Sequence, residues 1–90
     1  MKMKLVIAIV KDVDALAVSD ALVEQQYRVT RIASTGGFLR RGRVTLLIGI
    51  EETALEEVFR IIQENCQEPE PGQYKATIFV VPAEDFVQIG

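Results

Sequence analysis

The sequence has no histidine, no tryptophan and only one cysteine among its 90 residues. Without histidine the chain has no imidazole base, no Ser-His triad and no histidine-ligated metal site. Cys66 alone can form neither an intramolecular disulfide nor a thiolate zinc site, and its single occurrence agrees with a reducing compartment. These absences exclude several common kinds of catalytic and metal-binding site.

Long hydrophobic runs are also missing. The apolar run from Leu5 to Val10 is far shorter than the roughly 18 residues of a membrane span. It leads directly into a polar segment, with no signal-peptide cleavage site. This run is apolar on both alternating faces, which is typical of a buried strand. We therefore predict a cytoplasmic protein with no membrane span.

The composition describes one small domain, residues 1–90, with 49% hydrophobic and 26% charged residues. A domain of this size buries a limited fraction of its surface alone, which favours self-association. The net charge of −3 argues against a general nucleic-acid binder, which needs a broad basic surface.

The positive charge is concentrated in one segment, Arg28 to Gly49, which has five arginines and no acidic residue. Within it, Gly36 and Gly37 can direct backbone amides at a phosphate, and Phe38 offers a ring that stacks on a nucleobase. This combination favours a nucleotide ligand. The residues equally fit an ordinary hairpin loop, with Phe38 in the core and the arginines solvated.

Hydrophobic periodicity predicts six elements in the order β-α-β-β-α-β. The predicted strands cover residues 5–10, 28–34, 43–50 and 75–81, and the predicted helices cover residues 12–26 and 51–66. This order is typical of an α+β, ferredoxin-like domain, with an antiparallel sheet in the order 4-1-3-2 and both helices on one face. No linker or second domain is indicated.

Each helix shows an apolar stripe. The first stripe is Ala15, Leu16, Val18, Leu22 and Val23, with Asp14, Asp20 and Glu24 opposite. The second is Leu55, Val58, Phe59, Ile62 and Cys66, with Ile61 outside it and available to a partner subunit. The helix that carries the second stripe is also predicted to pair Glu56 with Arg60.

Two helices on one face leave the other face of the sheet open, although three of the strands are apolar on both sides. The simplest cover is the same face of other copies, in a closed cyclic oligomer.

An enzyme is the weaker class. The paired carboxylates Glu51-Glu52, Glu56-Glu57 and Glu68-Glu70 lie where helix starts, solvated helix faces and loops usually carry acids. Residues 11–14, Lys-Asp-Val-Asp, do not resemble the phosphate cradle that acylphosphatases have after their first strand. A phosphoryl-transfer or hydrolase activity is therefore our least favoured hypothesis.

The chain resembles the cyclic-di-AMP receptor family of the PII-like signal-transduction superfamily. The resemblance rests mainly on Arg28-Val29-Thr30 followed by Thr35-Gly36-Gly37-Phe38-Leu39-Arg40. It extends through residues 4–10, 19–23, 47–49 and 76–80, and so covers nearly the whole chain.

This resemblance implies a non-enzymatic sensor, a bacterial homotrimer that holds one cyclic di-AMP in each cleft between subunits. It needs no metal or other cofactor, and its downstream protein partner is unknown. The ligand-binding residues that the resemblance implies are Arg28, Thr30, Gly37, Phe38, Leu39, Gly49, Phe79 and Gln88. We add Gly36 for its backbone amide and Arg43 for its position in the same site.

Two departures from the family pattern keep an alternative open. Arg43 stands where the family usually has asparagine, and a guanidinium can only donate hydrogen bonds. The loop from Gln67 to Tyr74 is short where family members have a long one. The alternative is a PII-like structural or interaction trimer that binds another nucleotide or has lost ligand binding.

Overall fold

The computed structural model describes residues 2–32, 42–85 and 87–90. The strands are β1 (Met3–Lys11), β2 (Val29–Ile32), β3 (Arg43–Glu51) and β4 (Ala76–Pro82), and the helices are α1 (Asp12–Glu24) and α2 (Leu55–Glu64). A short 3-10 helix, Glu52–Ala54, leads from β3 into α2. The predicted element order is confirmed. In this part of the chain, neither helix has the length and apolarity that a membrane crossing requires.

The four strands form one sheet in the order β2-β3-β1-β4, with every neighbouring pair antiparallel. This is the predicted order read from the other edge. The apolar strands β1 and β3 occupy the centre, where each has two neighbours to pair with, and the more polar β2 lies at an edge. The predicted α+β architecture is therefore confirmed.

The hydrophobic core lies between the helices and one face of the sheet. Alternate residues of β1 and β3 point into it, because successive side chains of a strand face opposite sides. The buried apolar residues of the strands are Val6, Ala8, Val10, Val44, Leu46, Ile48 and Ile50, and those of the helices are Ala15, Val18, Leu22, Val58, Ile61 and Ile62. Cys66, just beyond α2, joins the same cluster as predicted.

Helix α1 keeps Ala15, Val18 and Leu22 of its predicted stripe in the core, but it is rotated so that the rest of that stripe faces water. Leu16 is 66% exposed and Val23 is 55% exposed, whereas Asp14 is buried. The Asp14 Oδ1 atom accepts a hydrogen bond from the backbone N–H of Gln67 at 3.2 Å. This bond gives one of the two carboxylate oxygens a partner, whereas Oδ2 has none among the described residues.

Helix α2 departs from its predicted stripe in the same way. Ile61 is buried and so does not face a partner, while Phe59 is partly exposed. The predicted pair of Glu56 with Arg60 is not formed, and Arg60 instead contacts Glu64 at 3.0 Å, one turn further along. Both helices are therefore rotated relative to the stripes read from the sequence.

The other face of the sheet, here called the open face, has no helix of the described residues packed against it. Its central row follows the register of the strands, with Thr30 beside Leu47, Leu47 beside Ile7 and Ile7 beside Phe79. Leu5, Ile9 and Val81 flank this row on the same face. Phe79 is 53% exposed, so the face is apolar and open in a single chain.

Candidate ligand-binding site

The basic segment brackets strands β2 and β3. Arg28 precedes β2, and Arg43 is the first residue of β3. Residues 33–41 lie outside the described part of the chain, and with them the predicted site residues Gly36, Gly37, Phe38 and Leu39. The other six predicted site residues, namely Arg28, Thr30, Arg43, Gly49, Phe79 and Gln88, can be placed.

Three of these six line one pocket, here called the Arg28 cleft. It has a volume of about 570 Å³. The predicted residues Arg28, Gly49 and Gln88 share its wall with Met3, Lys4, Leu5, Gln26, Tyr27 and Ala83. The start of β1, the end of β3, the residues after α1 and the C-terminal tail therefore meet here.

The Arg28 cleft combines positive charge with groups that can recognise a base. Arg28 and Lys4 carry the charge, and the side-chain amide of Gln88 can both donate and accept hydrogen bonds. A Cβ placed on Gly49 would meet no atom within 4 Å, so the glycine adds free space to the wall. The cleft therefore offers a binding surface for an anion that carries a polar ring.

Two further features of the Arg28 cleft come from the turn after α1. Gln26 has a φ of 68°, in the left-handed region that favours glycine. Tyr27 closes the turn, since its backbone N–H donates to Leu22 at 3.1 Å. Desolvation raises the pKa of the Tyr27 phenol, and the charge of the Glu57 carboxylate and its hydrogen bond with the phenol raise it further.

Two other predicted residues line a second pocket, here called the Arg43 cleft, with a volume of about 340 Å³. Arg43 and Phe79 share its wall with Ile9, Gly72, Gln73, Tyr74 and Thr77. This pocket lies where β3 begins and where the loop between α2 and β4 reaches the sheet. It presents one guanidinium and two aromatic rings.

The sixth residue, Thr30, lines neither cleft. It lies on the open face in the same cross-strand row as Phe79, with Leu47 and Ile7 between them. The structure thus divides the predicted site residues of one chain between two clefts and the sheet surface that separates them.

The arginines of the basic segment do not all face these clefts. The Arg31 guanidinium lies 3.2 Å from the Asp12 carboxylate in an exposed ion pair. Its Cα partner on β3 is Leu46, which points into the core. Arg31 therefore lies on the helix side of the sheet, because residues alternate along a strand.

The sequence did not identify several residues that line the clefts, among them Lys4, Leu5, Tyr27, Gln73 and Tyr74. Tyr74 had a usable signal, since it follows the Pro71-Gly72 turn and is an isolated aromatic residue in a polar loop. Lys4 and Leu5 carried none, because a strand pattern does not show which residues border a pocket.

Within residues 2–32, 42–85 and 87–90, no group of three or more metal-ligating side chains is brought together. The polar and aromatic side chains that line the two clefts are mainly cationic groups, amides and aromatic rings.

Comparison with known proteins identifies the fold and the family. Residues 3–71 match the model of a family described as cyclic-di-AMP receptor. A protein of unknown function from Pediococcus pentosaceus is 40% identical, with 99% of each chain covered and a TM-score of 0.77. The PII protein of Arabidopsis thaliana, solved with citrate, is 29% identical and has a TM-score of 0.77, over 98% of this chain and 83% of its own. The chain therefore belongs to the cyclic-di-AMP receptor family and has a PII-like fold.

Proposed function

We propose that the protein is a non-enzymatic, cytoplasmic nucleotide sensor that binds cyclic di-AMP in the clefts between the subunits of a homotrimer. The observation that carries this proposal is the open face, an apolar sheet surface with a charged cleft at each end. Membership of the cyclic-di-AMP receptor family supports the choice of ligand.

The open face supports assembly. Phe79 is 53% exposed and Val81 is 37% exposed, and both sit beside β1, the most apolar strand. Contiguous apolar surface of this kind marks an interaction site. A closed ring of copies buries the face of each member and leaves no unpaired face, which is why soluble oligomers favour cyclic symmetry.

The positions of the two clefts support a ligand shared between subunits. Arg43 and Gly49 lie near opposite ends of β3, about 20 Å apart at roughly 3.3 Å per residue. Arg28 and Arg43 therefore flank opposite ends of the open face in one chain. A ring of copies brings the Arg28 cleft of one subunit toward the Arg43 cleft of the next.

Each residue has a role that its chemistry fits. Arg28 and Lys4 neutralise the phosphates, Gln88 pairs with a base edge through its amide, and Phe79 provides a ring for a base to stack on. The Gly36 and Gly37 amides, with Phe38 and Leu39, complete the site in this proposal. Thr30 offers a hydroxyl from the open face.

Isothermal titration calorimetry with purified protein tests the proposal. We expect cyclic di-AMP to bind one molecule per chain, and Arg28→Ala to weaken binding at least about tenfold through loss of a charge-assisted contact. Arg60→Ala is the matched control, because Arg60 pairs with Glu64 on an exposed helix face. The absence of binding at high micromolar cyclic di-AMP would contradict the proposal.

A second candidate is a PII-like trimer that binds another nucleotide or none. The observation that favours it is Arg43, a donor-only side chain in the second cleft, together with the short loop between α2 and β4. Thermal unfolding distinguishes the two, since a tight ligand of the native state must raise the melting temperature. An unchanged melting temperature with every nucleotide supports the ligand-free trimer.

A further inference from the structure

The Arg43 cleft has features of its own that bear on which base the protein selects. On the proposed function, this cleft would receive one end of the ligand. Three groups stand out in the wall of the cleft: Arg43 from β3, Phe79 from β4 and Tyr74 from the loop between α2 and β4.

The loop that carries Tyr74 is short and held at both ends. At its start, the Gln67 N–H donates to the buried Asp14 carboxylate at 3.2 Å. At its end, Lys75 Nζ donates to the Gln63 carbonyl in the last turn of α2 at 3.2 Å. These two bonds fix the path of the loop past the edge of the sheet.

A tight turn sits between these anchors. Gly72 has a φ of 84°, and the Gln73 N–H donates to the Glu70 carbonyl at 3.0 Å. Proline at the second turn position and a left-handed glycine at the third are the features of a type II turn. The turn places Tyr74, which is 77% exposed, in the wall of the cleft together with the half-exposed Phe79.

Two exposed rings at one small cleft form a stacking surface. Aromatic side chains bind nucleobases through their faces, whatever the base. The two rings would therefore bind a nucleobase of any kind. The polar group beside them would decide which base is preferred.

That polar group is Arg43, whose guanidinium can donate hydrogen bonds but cannot accept them. Among the described residues, no carboxylate forms an ion pair with Arg43. Its cross-strand partner is Lys11, a second cation. Like charges directly opposite each other on a sheet are destabilising, so this end of the cleft favours a ligand that presents acceptors.

The purines differ in this respect. The Hoogsteen edge of guanine presents two adjacent acceptors, N7 and O6, which an arginine can engage through both arms of its fork. The same edge of adenine presents the acceptor N7 beside the N6 amino donor, which faces a donor on Arg43. A phosphate also presents only acceptors, but it makes no use of the two rings.

We propose that the Arg43 cleft is a base-binding subsite that selects guanine over adenine, with Arg43 as the specificity-determining residue and Tyr74 and Phe79 as its stacking surface. The preferred ligand is then a cyclic dinucleotide with a guanine at this end.

Calorimetry with three ligands tests this on the unmodified protein: cyclic di-AMP, cyclic di-GMP and the mixed cyclic dinucleotide of guanosine and adenosine. We expect the mixed ligand to bind at least about tenfold more tightly than cyclic di-AMP, the factor that one bidentate contact to guanine contributes. Equal or tighter binding of cyclic di-AMP overturns the inference and leaves the proposed function intact. Binding of none of the three overturns both.

Variants identify the responsible side chain. Arg43→Asn supplies one donor and one acceptor, so we expect it to reverse the preference in favour of cyclic di-AMP. Tyr74→Ala should weaken the guanine-containing ligands more than tenfold while its melting temperature stays that of the parent, since the Tyr74 side chain is exposed. If Arg43→Asn weakens all three ligands equally and flattens the dependence of affinity on salt, the group at Arg43 is a phosphate and the guanine inference is wrong.

Discussion

Ile7 and Phe79 are cross-strand partners on the open face of the sheet, one on β1 and the other on β4. Ile7 is half-buried, whereas Phe79 keeps about half of its surface exposed in a single chain. An exposed aromatic ring beside a central aliphatic residue, with no helix of the described residues over it, is the kind of apolar surface on which we base the proposed assembly. The proposed assembly depends on another copy of the chain covering that pair.

A charge placed on this pair should prevent assembly. We expect Phe79→Glu to yield a folded protein that sediments with a lower mass than the parent, because a carboxylate cannot be buried there without a partner. Val13→Glu is the matched control, since Val13 is 71% exposed on the outer side of α1. An unchanged mass for Phe79→Glu would exclude the open face as the interface.

The rotation of α1 can be tested by two substitutions of the same kind. Leu22→Ala removes a fully buried side chain and should lower the free energy of unfolding by about 2–5 kcal/mol through lost contacts and a cavity. Leu16→Ala, at a position that is 66% exposed, should change it by less than about 0.5 kcal/mol. Urea unfolding gives both values. Similar losses of stability in the two variants would show that Leu16 is buried, as the sequence predicted.

In the turn after α1, the backbone of Gln26 has an unfavourable conformation, with a φ of 68°. A non-glycine residue in this region costs about 1–2 kcal/mol. We therefore expect Gln26→Gly to raise the free energy of unfolding by up to about 1 kcal/mol, after the greater entropy of glycine in the unfolded chain is subtracted. Gln25→Gly, where φ is −88°, should instead be destabilising. A loss of stability in Gln26→Gly would show that its side chain makes a needed contact.

Stability should fall in alkaline solution because of Cys66. Burial raises the pKa of its thiol above the ordinary value, with the Asp14 carboxylate adding to the effect and Lys75 and Lys11 opposing it. As the pH rises past the unfolded value, the unfolded chain loses the thiol proton while the folded chain retains it. The contribution of the buried thiol to the free energy of unfolding is therefore complete below about pH 8 and is lost as the pH rises further.

Urea midpoints measured between about pH 7 and pH 10 give this dependence. The urea midpoint of Cys66→Ala should fall less than that of the parent over that range. Part of the fall that remains comes from Tyr27, whose pKa is also raised. An identical decline in both proteins would mean that the thiol does not contribute.

The fold could be predicted because its signals are local. Runs such as Leu5 to Val10 identify central strands, and the element order then limits the topology to few arrangements. The strand order, the central places of β1 and β3 and the core position of Cys66 are all confirmed. The edge position of β2 also follows from its polar alternation.

The helix faces could not be predicted in the same way, because acidic residues were assumed to face water. Asp14 is buried through a bond to Gln67, a residue far away in sequence, and such a partner is not visible in a periodic pattern. Its Oδ2 atom has no partner among the described residues. The apolar residues Leu16 and Val23 of the same helix are exposed.

The candidate site was predictable only in part. Arg28, Gly49 and Gln88 come from distant parts of the sequence, and the structure brings them to one cleft. Arg43 and Phe79 lie at another. That separation depends on strand register, which residue types alone do not reveal. The predicted contribution of Gly36, Gly37, Phe38 and Leu39 stays a prediction, since these residues lie outside the described chain.

Native mass spectrometry of the protein with cyclic di-AMP tests the central claim most directly, since one spectrum reports both assembly and ligand number. We predict a species of three chains that carries up to three nucleotides, one for each cleft between neighbouring subunits. A single chain with no bound nucleotide, at protein and ligand concentrations in the tens of micromolar, would contradict the account.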